Sequence, residues 1–232
     1  MNRLGLMACL LIACTTVDAR ADYLTHTSRA SFEAHTYQRD IVTFEGLVAP
    51  GEAFGYLSAE GLTEKGVTFL GIIPDDFWLF VVDPAVTPEF YDWGTGAVLL
   101  GPPSWYGEGS RIEVKLPPGT TAFGTDLMSI LPYAAYFDIV LATGETFTAA
   151  SAEFPQRAFF GITSDAPISS VTFVAGDGAL PLLDNFTIGL TAPLPPSLLL
   201  AATGMVGVLG YRCRWSRRRN RARDCLFTSM PA

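Results

Sequence analysis

The sequence predicts an all-β protein built as an antiparallel β-sandwich. Short segments rich in β-branched and aromatic residues follow one another, and turn-forming clusters such as Pro117-Pro118-Gly119 separate them. No long segment with helical periodicity lies between them. In Arg111–Leu116, apolar and charged residues alternate, as a half-buried antiparallel strand requires. Many short strands with regular turns are typical of two packed sheets.

Before the first strand we predict a short helix that Ser28 caps and that runs to about Tyr37, with Phe32 facing inward. The remaining elements are predicted as strands. They are Ile41–Leu47, Val67–Ile73, Phe77–Val82, Ala97–Leu100, Arg111–Leu116, Thr121–Leu127, Phe137–Leu141, Phe159–Ile162, Ser169–Val174 and Leu182–Ile188.

The charge of the chain is strongly polarised along its length. The whole chain carries −8, but the segment from Asp22 to Ala192 has twenty-one acids against six bases, which gives −15. Such a field repels nucleic-acid phosphates, so we expect no nucleic-acid partner. All four cysteines lie outside this segment, so it can form no internal disulfide and its stability must come from an apolar core. They are Cys9, Cys14, Cys213 and Cys225.

The first 21 residues predict a signal peptide. Arg3 precedes an apolar stretch from Leu4 to Ala13, and Ala19 and Ala21 are the small residues that a signal peptidase reads. We therefore predict export across the inner membrane and cleavage before Asp22. An alternative lies within the same stretch, because Leu11-Ile12-Ala13-Cys14 resembles a lipobox, in which Cys14 would be lipidated.

The C-terminal region predicts a membrane anchor. Residues 196–211 hold no charge and would form a helix of about 24 Å at ~1.5 Å per residue, short for a membrane span. A basic cluster follows, where the positive-inside rule places it. A disordered basic tail is the alternative, and residues 220–232 are predicted to be disordered in either case. The cluster comprises Arg212, Arg214, Arg217, Arg218 and Arg219, followed by Arg221 and Arg223.

The order of proline motif, apolar helix and basic cluster in residues 192–219 resembles the PEP-CTERM sorting tail, in its VPLPA-type variant. The motif residues are Pro193, Leu194, Pro195 and Pro196. The resemblance implies an exosortase as processing partner, transient anchoring in the inner membrane, and a role in the envelope or extracellular matrix connected with exopolysaccharide and biofilm. The chain departs from the common pattern, since no glutamate lies between its prolines and a further segment follows the arginines. A permanently retained membrane anchor is the alternative.

Several phrases in residues 22–191 look like those of jelly-roll domains in PEP-CTERM proteins. The resemblance implies a concanavalin-like or galactose-binding-like sandwich without deciding between them, and a fold alone carries no function. The phrases are Thr43-Phe44-Glu45-Gly46-Leu47, Thr121-Ala122-Phe123-Gly124, Phe159-Phe160-Gly161-Ile162-Thr163-Ser164, Ile168-Ser169-Ser170-Val171-Thr172-Phe173 and Leu183-Asp184-Asn185-Phe186.

Two acids suggest a metal site. Glu45 in the first predicted strand and Asp184 in the last offer hard oxygen ligands, and jelly-roll carbohydrate modules often hold a structural calcium between their terminal strands. The alternative is that both carboxylates solvate strand edges or bond turn backbone. His26 and His35 belong to no catalytic pattern, and the usual nucleophile, zinc and nucleotide motifs are missing, so we expect a non-enzymatic protein.

Aromatic residues beside acids between Pro74 and Ser110 suggest a polysaccharide-binding rim, because a sugar ring offers C–H faces to aromatics and hydroxyls to carboxylates. Trp93, Trp105 and Tyr106 are the candidate contacts, whereas Trp78 lies in a run that suggests the core. Two alternatives remain: a purely structural or adhesive matrix protein, and a glycoside-active enzyme using a pair of carboxylates.

Overall fold

The computed structural model describes residues 21–73, 76–86, 88, 92, 94, 96–102, 111–128, 134–176 and 179–193. Within these residues the chain forms two antiparallel sheets, which confirms the predicted all-β class. Residues 1–20, the predicted membrane helix 196–211 and the arginine cluster lie outside the described residues. No helix in the described part of the chain is long and apolar enough to cross a membrane.

Sheet A is eight-stranded. Its strands are β1 (Tyr23–His26), β2 (Thr36–Val42), β3 (Ala53–Tyr56), β7 (Leu79–Val82), β8 (Val98–Leu100), β10 (Ala122–Met128), β13 (Ala158–Ser164) and β15 (Leu182–Thr191). They run in the order β1-β13-β10-β15-β8-β7-β3, and β2 also pairs with β15.

Sheet B is seven-stranded. Its strands are β4 (Leu62–Glu64), β5 (Val67–Ile73), β6 (Asp76–Phe77), β9 (Arg111–Lys115), β11 (Tyr136–Leu141), β12 (Thr146–Ala150) and β14 (Ser170–Ala175). Their order is β12-β11-β14-β9-β5-β4, and β6 pairs with β5. A helix α1 (Arg29–Ala34) and a 3₁₀ turn (Pro84–Val86) complete the described elements.

The core lies between the two sheets and is rich in phenylalanine. Phe123 and Phe186 of sheet A meet Phe173 and Phe69 of sheet B, with ring centroids 6.4 Å apart for Phe123–Phe173 and 5.2 Å for Phe69–Phe186. All four side chains are fully buried. Burial of each such side chain stabilises the fold by about 1.5–3 kcal/mol. In β9 the predicted alternation is confirmed, since Ile112 and Val114 are buried between more exposed charged residues.

One edge of β15 is shared by two partners. β2 pairs with residues Phe186 to Thr191, while β8 pairs with Leu182 and Leu183. Asp184 and Asn185 therefore fall in the gap between the two pairings. On the opposite edge β10 pairs along most of β15, with a register shift between Gly124 and Asp126. Asp126 and its partner Asp184 lie directly after this register shift.

Helix α1 lies on that outer face. Ser28 caps it as predicted, its side chain accepting a hydrogen bond from the backbone N–H of Ser31 at 3.3 Å. Phe32 is fully buried, as predicted, and packs against Phe159 and Gly161 of β13. These two residues alternate with Phe160 and Ile162, which face the core between the sheets. A Cβ on Gly161 would come within 2.8 Å of the Phe32 ring, so this position requires glycine.

Two predicted elements end several residues earlier than expected. The helix ends at Ala34 rather than Tyr37, because the chain enters β2 at Thr36. The predicted strand Ile41–Leu47 ends at Val42, since Phe44 has φ +61° and the chain turns there. Six strands were either missed by the prediction or overlapped by it only at one end. They are β1, β2, β3, β4, β6 and β12.

Candidate functional site

A polar cluster occupies the outer face of sheet A where β10 and β15 run side by side. It consists of Arg29, Asp126, Arg157, Asp184 and Asn185, and Asp126 stands directly opposite Asp184 in the register of the two strands. Both aspartates are buried, at 8% and 2% exposure. Two like charges at such positions require compensation, because directly opposed carboxylates destabilise a sheet.

Local backbone geometry places these groups. Phe123 and Leu127 of β10 face the core, so Asp126 faces outward on the same strand. In β15, Asn185 adopts φ +49°, a left-handed conformation that asparagine tolerates better than most residues. The register shift between Gly124 and Asp126 resembles a β-bulge, a feature that changes the direction of side chains and is common at sheet edges and functional sites.

The amide of Asn185 joins the two carboxylates. Its Nδ2 donates to Oδ2 of Asp126 at 3.0 Å and to Oδ2 of Asp184 at 2.9 Å. Asp184 Oδ1 also accepts the backbone N–H of Asn185 at 2.6 Å. One side chain thus satisfies both acids, which is the condition for burying polar groups without a large penalty.

Arg29, the first residue of α1, supplies the opposite charge. It donates to Oδ1 of Asp126 at 2.9 Å and to Oγ1 of Thr187 at 3.1 Å. Its guanidinium also stacks over the Phe159 ring, 4.8 Å from the centroid. The cluster therefore fastens α1 to β10, β13 and β15.

Arg157 is the second cation of the cluster but is held less tightly. Its Nη1 lies 3.9 Å from Oδ2 of Asp126, and its side chain is 39% exposed. Among the described residues it makes no hydrogen bond, whereas Asp126 already accepts from Arg29 and Asn185. The Arg157 side chain is thus more exposed than that of Arg29, which is 29% exposed.

The two aspartates are close together, as the carboxylates of some hydrolases are, but they lack the setting of a hydrolase site. Because Oδ2 of Asp126 and Oδ2 of Asp184 bond the same nitrogen, they lie at most 5.9 Å apart, the sum of 3.0 and 2.9 Å. Retaining glycosidases separate their carboxyl groups by about 5–5.5 Å across a cleft. Here both carboxylates are buried and engaged by Asn185, so the arrangement describes a structural tie rather than an acid and a nucleophile.

The predicted calcium ligands are placed differently from one another. Asp184 is buried in the polar cluster, while Glu45 is exposed, three residues beyond β2, with its carboxylate against Gly96. No group of three His, Cys, Asp or Glu side chains close enough to hold a metal occurs in the part of the chain described. Calcium prefers six to eight oxygens. The calcium hypothesis gains no support there and stays a prediction.

The predicted polysaccharide contacts Trp93, Trp105 and Tyr106 lie outside the described residues, as do Leu194, Pro195 and Pro196 of the sorting motif. Pro193 is described and exposed. Trp78 is half-buried: it packs on a second apolar cluster on sheet A, with its ring centroid 4.7 Å from that of Phe80. The expectation of a core role for Trp78 is therefore met only in part.

A groove runs along the edge of the sandwich where β1 ends sheet A and β12 ends sheet B. This open-edge groove has a volume of about 660 Å³. Its described lining combines phenylalanines, threonines and alanines with one charged residue, Arg157. The lining residues are Thr25, Thr27, Phe147, Thr148, Ala149, Ala150, Arg157, Ala158, Phe159 and Phe160.

His26 secures the beginning of the domain. It is 2% exposed, and its ring nitrogens bond the hydroxyls of Ser31, at 3.0 Å, and Thr163, at 3.1 Å. Burial, and secondarily the charge of His35, lower the pKa of His26 below its ordinary 6.5. Folding therefore favours the neutral form of the His26 ring.

Sequence reasoning found Asp184 but missed its partners Arg29, Asp126 and Asn185 in the cluster. One signal was present, since a charged residue in the middle of Ala122–Met128, a strand buried throughout, requires a compensating group. Comparison with protein-family models finds no family that matches this chain, and comparison with curated proteins finds no match either.

Proposed function

We propose that this chain is an exported, non-enzymatic β-sandwich protein that an exosortase sorts to the cell envelope or the extracellular matrix, where it contacts polysaccharide. The signal peptide delivers the domain across the inner membrane. The apolar helix and arginine cluster then hold it there until the tail is processed. The resemblance of residues 192–219 to the PEP-CTERM tail is the origin of this proposal.

The boundaries of the folded domain are the observation that carries it. The first strand begins at Tyr23, just after the predicted cleavage point, and the last ends at Thr191, just before the proline motif. Asp22 already belongs to the domain, because its backbone N–H donates to Asp165 Oδ1 at 2.9 Å. Cleavage before Asp22 and processing after Thr191 would therefore leave every described strand intact.

The fold is suited to an oxidising or variable environment outside the cell. No cysteine lies between residues 22 and 192, so nothing in the domain depends on a disulfide or on reduced thiols. Stability comes instead from the continuous phenylalanine-rich core between the sheets. The −15 charge of this segment favours solubility after release from the membrane.

Exported polysaccharide is the partner class we propose, and a structural or adhesive role without a small-ligand site is the second candidate. A groove lined by rings and hydroxyls favours the first. A glycoside-active enzyme is less well supported, because the two neighbouring buried carboxylates, those of Asp126 and Asp184, accept hydrogen bonds from Asn185, and Asp126 also accepts one from Arg29.

The test compares processing in cells with and without an exosortase. We expect replacement of Pro193, Pro195 and Pro196 by alanine to leave the full tail attached and the protein in the inner membrane. The matched control replaces Arg221 and Arg223 by glutamine, beyond the segment that resembles the sorting tail, and should be processed normally. Identical products from all strains and variants would overturn the exosortase proposal.

A further inference from the structure

We infer that the open-edge groove binds a carboxylate-bearing sugar, with Arg157 as the anchor for the carboxylate. This inference rests on the proposed contact with polysaccharide and assigns it to residues that the sequence did not single out. The predicted aromatic loop between Pro74 and Ser110 contributes no residue to the groove as described.

The groove has the size and position of a ligand site. Its volume of about 660 Å³ lies within the ~300–1,000 Å³ usual for small-ligand sites. It follows β1, whose four residues extend roughly 13 Å at ~3.3 Å per residue. A second depression along the same edge is lined by Asp22 and Glu145, whose carboxylates would repel an acidic sugar, so the proposed site is confined to the groove itself.

The lining offers the contacts that a sugar uses. Phe147 and Phe159 supply ring surfaces for C–H faces of a pyranose, and the exposed Thr25 and Thr27 supply hydroxyls that donate or accept hydrogen bonds. The Phe159 ring packs against Phe32 and the Arg29 guanidinium, so it loses little conformational entropy when a ligand binds.

Charge selects the class of sugar. The domain is strongly acidic, yet among the described residues that line this groove the one charged side chain is a cation, Arg157. Its sole ion-pair partner in the described part of the chain is Asp126, at 3.9 Å. Arg29 lies closer to Asp126, at 2.9 Å, and neutralises it. The Arg157 guanidinium, 39% exposed and 3.9 Å from that carboxylate, can therefore exchange this weak pair for a bidentate pair with a ligand carboxylate, the geometry for which arginine is best suited.

The experiment uses the full chain, purified in detergent, and two probes that differ only at the carboxyl group: a galacturonate oligomer and its uncharged methyl ester. Titration calorimetry should show the acid binding about ten-fold or more tightly than the ester, with an affinity that falls as salt rises. Arg157→Gln should remove that preference. Lys115→Gln is the charge-matched control, since Lys115 is exposed on β9 and lines no part of this groove, and should bind as the unaltered chain does.

A second variant tests the location independently of charge. Ala150 is exposed in the groove lining, so Ala150→Trp should fold and should block both probes. Equal affinity for acid and ester, full binding by Arg157→Gln, or binding unaffected by Ala150→Trp would overturn the inference. So would binding of neither probe. Because these titrations do not depend on processing, normal export with no binding would reject the groove alone, whereas a cytosolic, unprocessed chain would reject the proposed function.

Discussion

Replacement of Asp126 by alanine tests whether the polar cluster fastens α1 to sheet A. Asp126 accepts hydrogen bonds from Arg29 at 2.9 Å and from Asn185 at 3.0 Å. Each charge-assisted bond contributes about 1.5 kcal/mol or more. The Arg29 side chain is 29% exposed, so solvent screening reduces its share, and the loss of repulsion from Asp184 offsets a further part. We expect a net loss of about 2 kcal/mol in the free energy of unfolding.

Thermal or urea unfolding of the full chain in detergent measures this loss. At roughly 2–4 °C per kcal/mol for a domain of this size, the melting temperature should fall by about 4–8 °C. The matched control is Asp138→Ala, because Asp138 is exposed on β11 and accepts from the exposed side chain of Thr148. We expect it to change the free energy of unfolding by less than about 0.5 kcal/mol. Equal effects of the two substitutions would refute the structural role of the cluster.

Three further predictions concern other parts of the domain. Because folding lowers the pKa of His26, the unfolded chain takes up this proton more readily than the folded chain as pH falls below about 6.5. The free energy of unfolding should therefore decrease from pH 7.5 to 6.0, and it should decrease less in His26→Gln. Equal pH dependence of the two proteins in urea titrations would contradict this. Phe186→Ala should lower the free energy of unfolding by about 3–5 kcal/mol, measured by the same unfolding method, because the side chain is fully buried between the sheets. A decrease of less than about 1 kcal/mol would show that this burial contributes little to stability. If Glu45 and Asp184 hold calcium, a chelator should lower the melting temperature, and an unchanged value removes that hypothesis.

The fold class was predictable because its signals are local. Alternation in Arg111–Leu116 depends only on the period of a strand, and the helix cap at Ser28 depends on its neighbours. The missed strands lack these signals. Tyr23–His26 and Thr146–Ala150 are short edge strands, and they form because a neighbouring strand offers its backbone groups.

The candidate site was less predictable because its contacts are distant in sequence. Arg29 and Asp126 are 97 residues apart, and Asp126 and Asn185 are 59 apart. Their meeting depends on the pairing of β10 with β15 and on a register shift that no local pattern specifies. The open-edge groove likewise depends on which strands end each sheet, a property of the topology and not of any segment.

The central claim is that the chain is exported and processed at both ends of the described domain. Intact-mass measurement of the protein from each cell fraction tests it most directly. We expect an envelope or extracellular product that begins at Asp22 and lacks the arginine cluster. A full-length chain of 25.0 kDa that still begins at Met1 and is dissolved in the cytosol would contradict the claim.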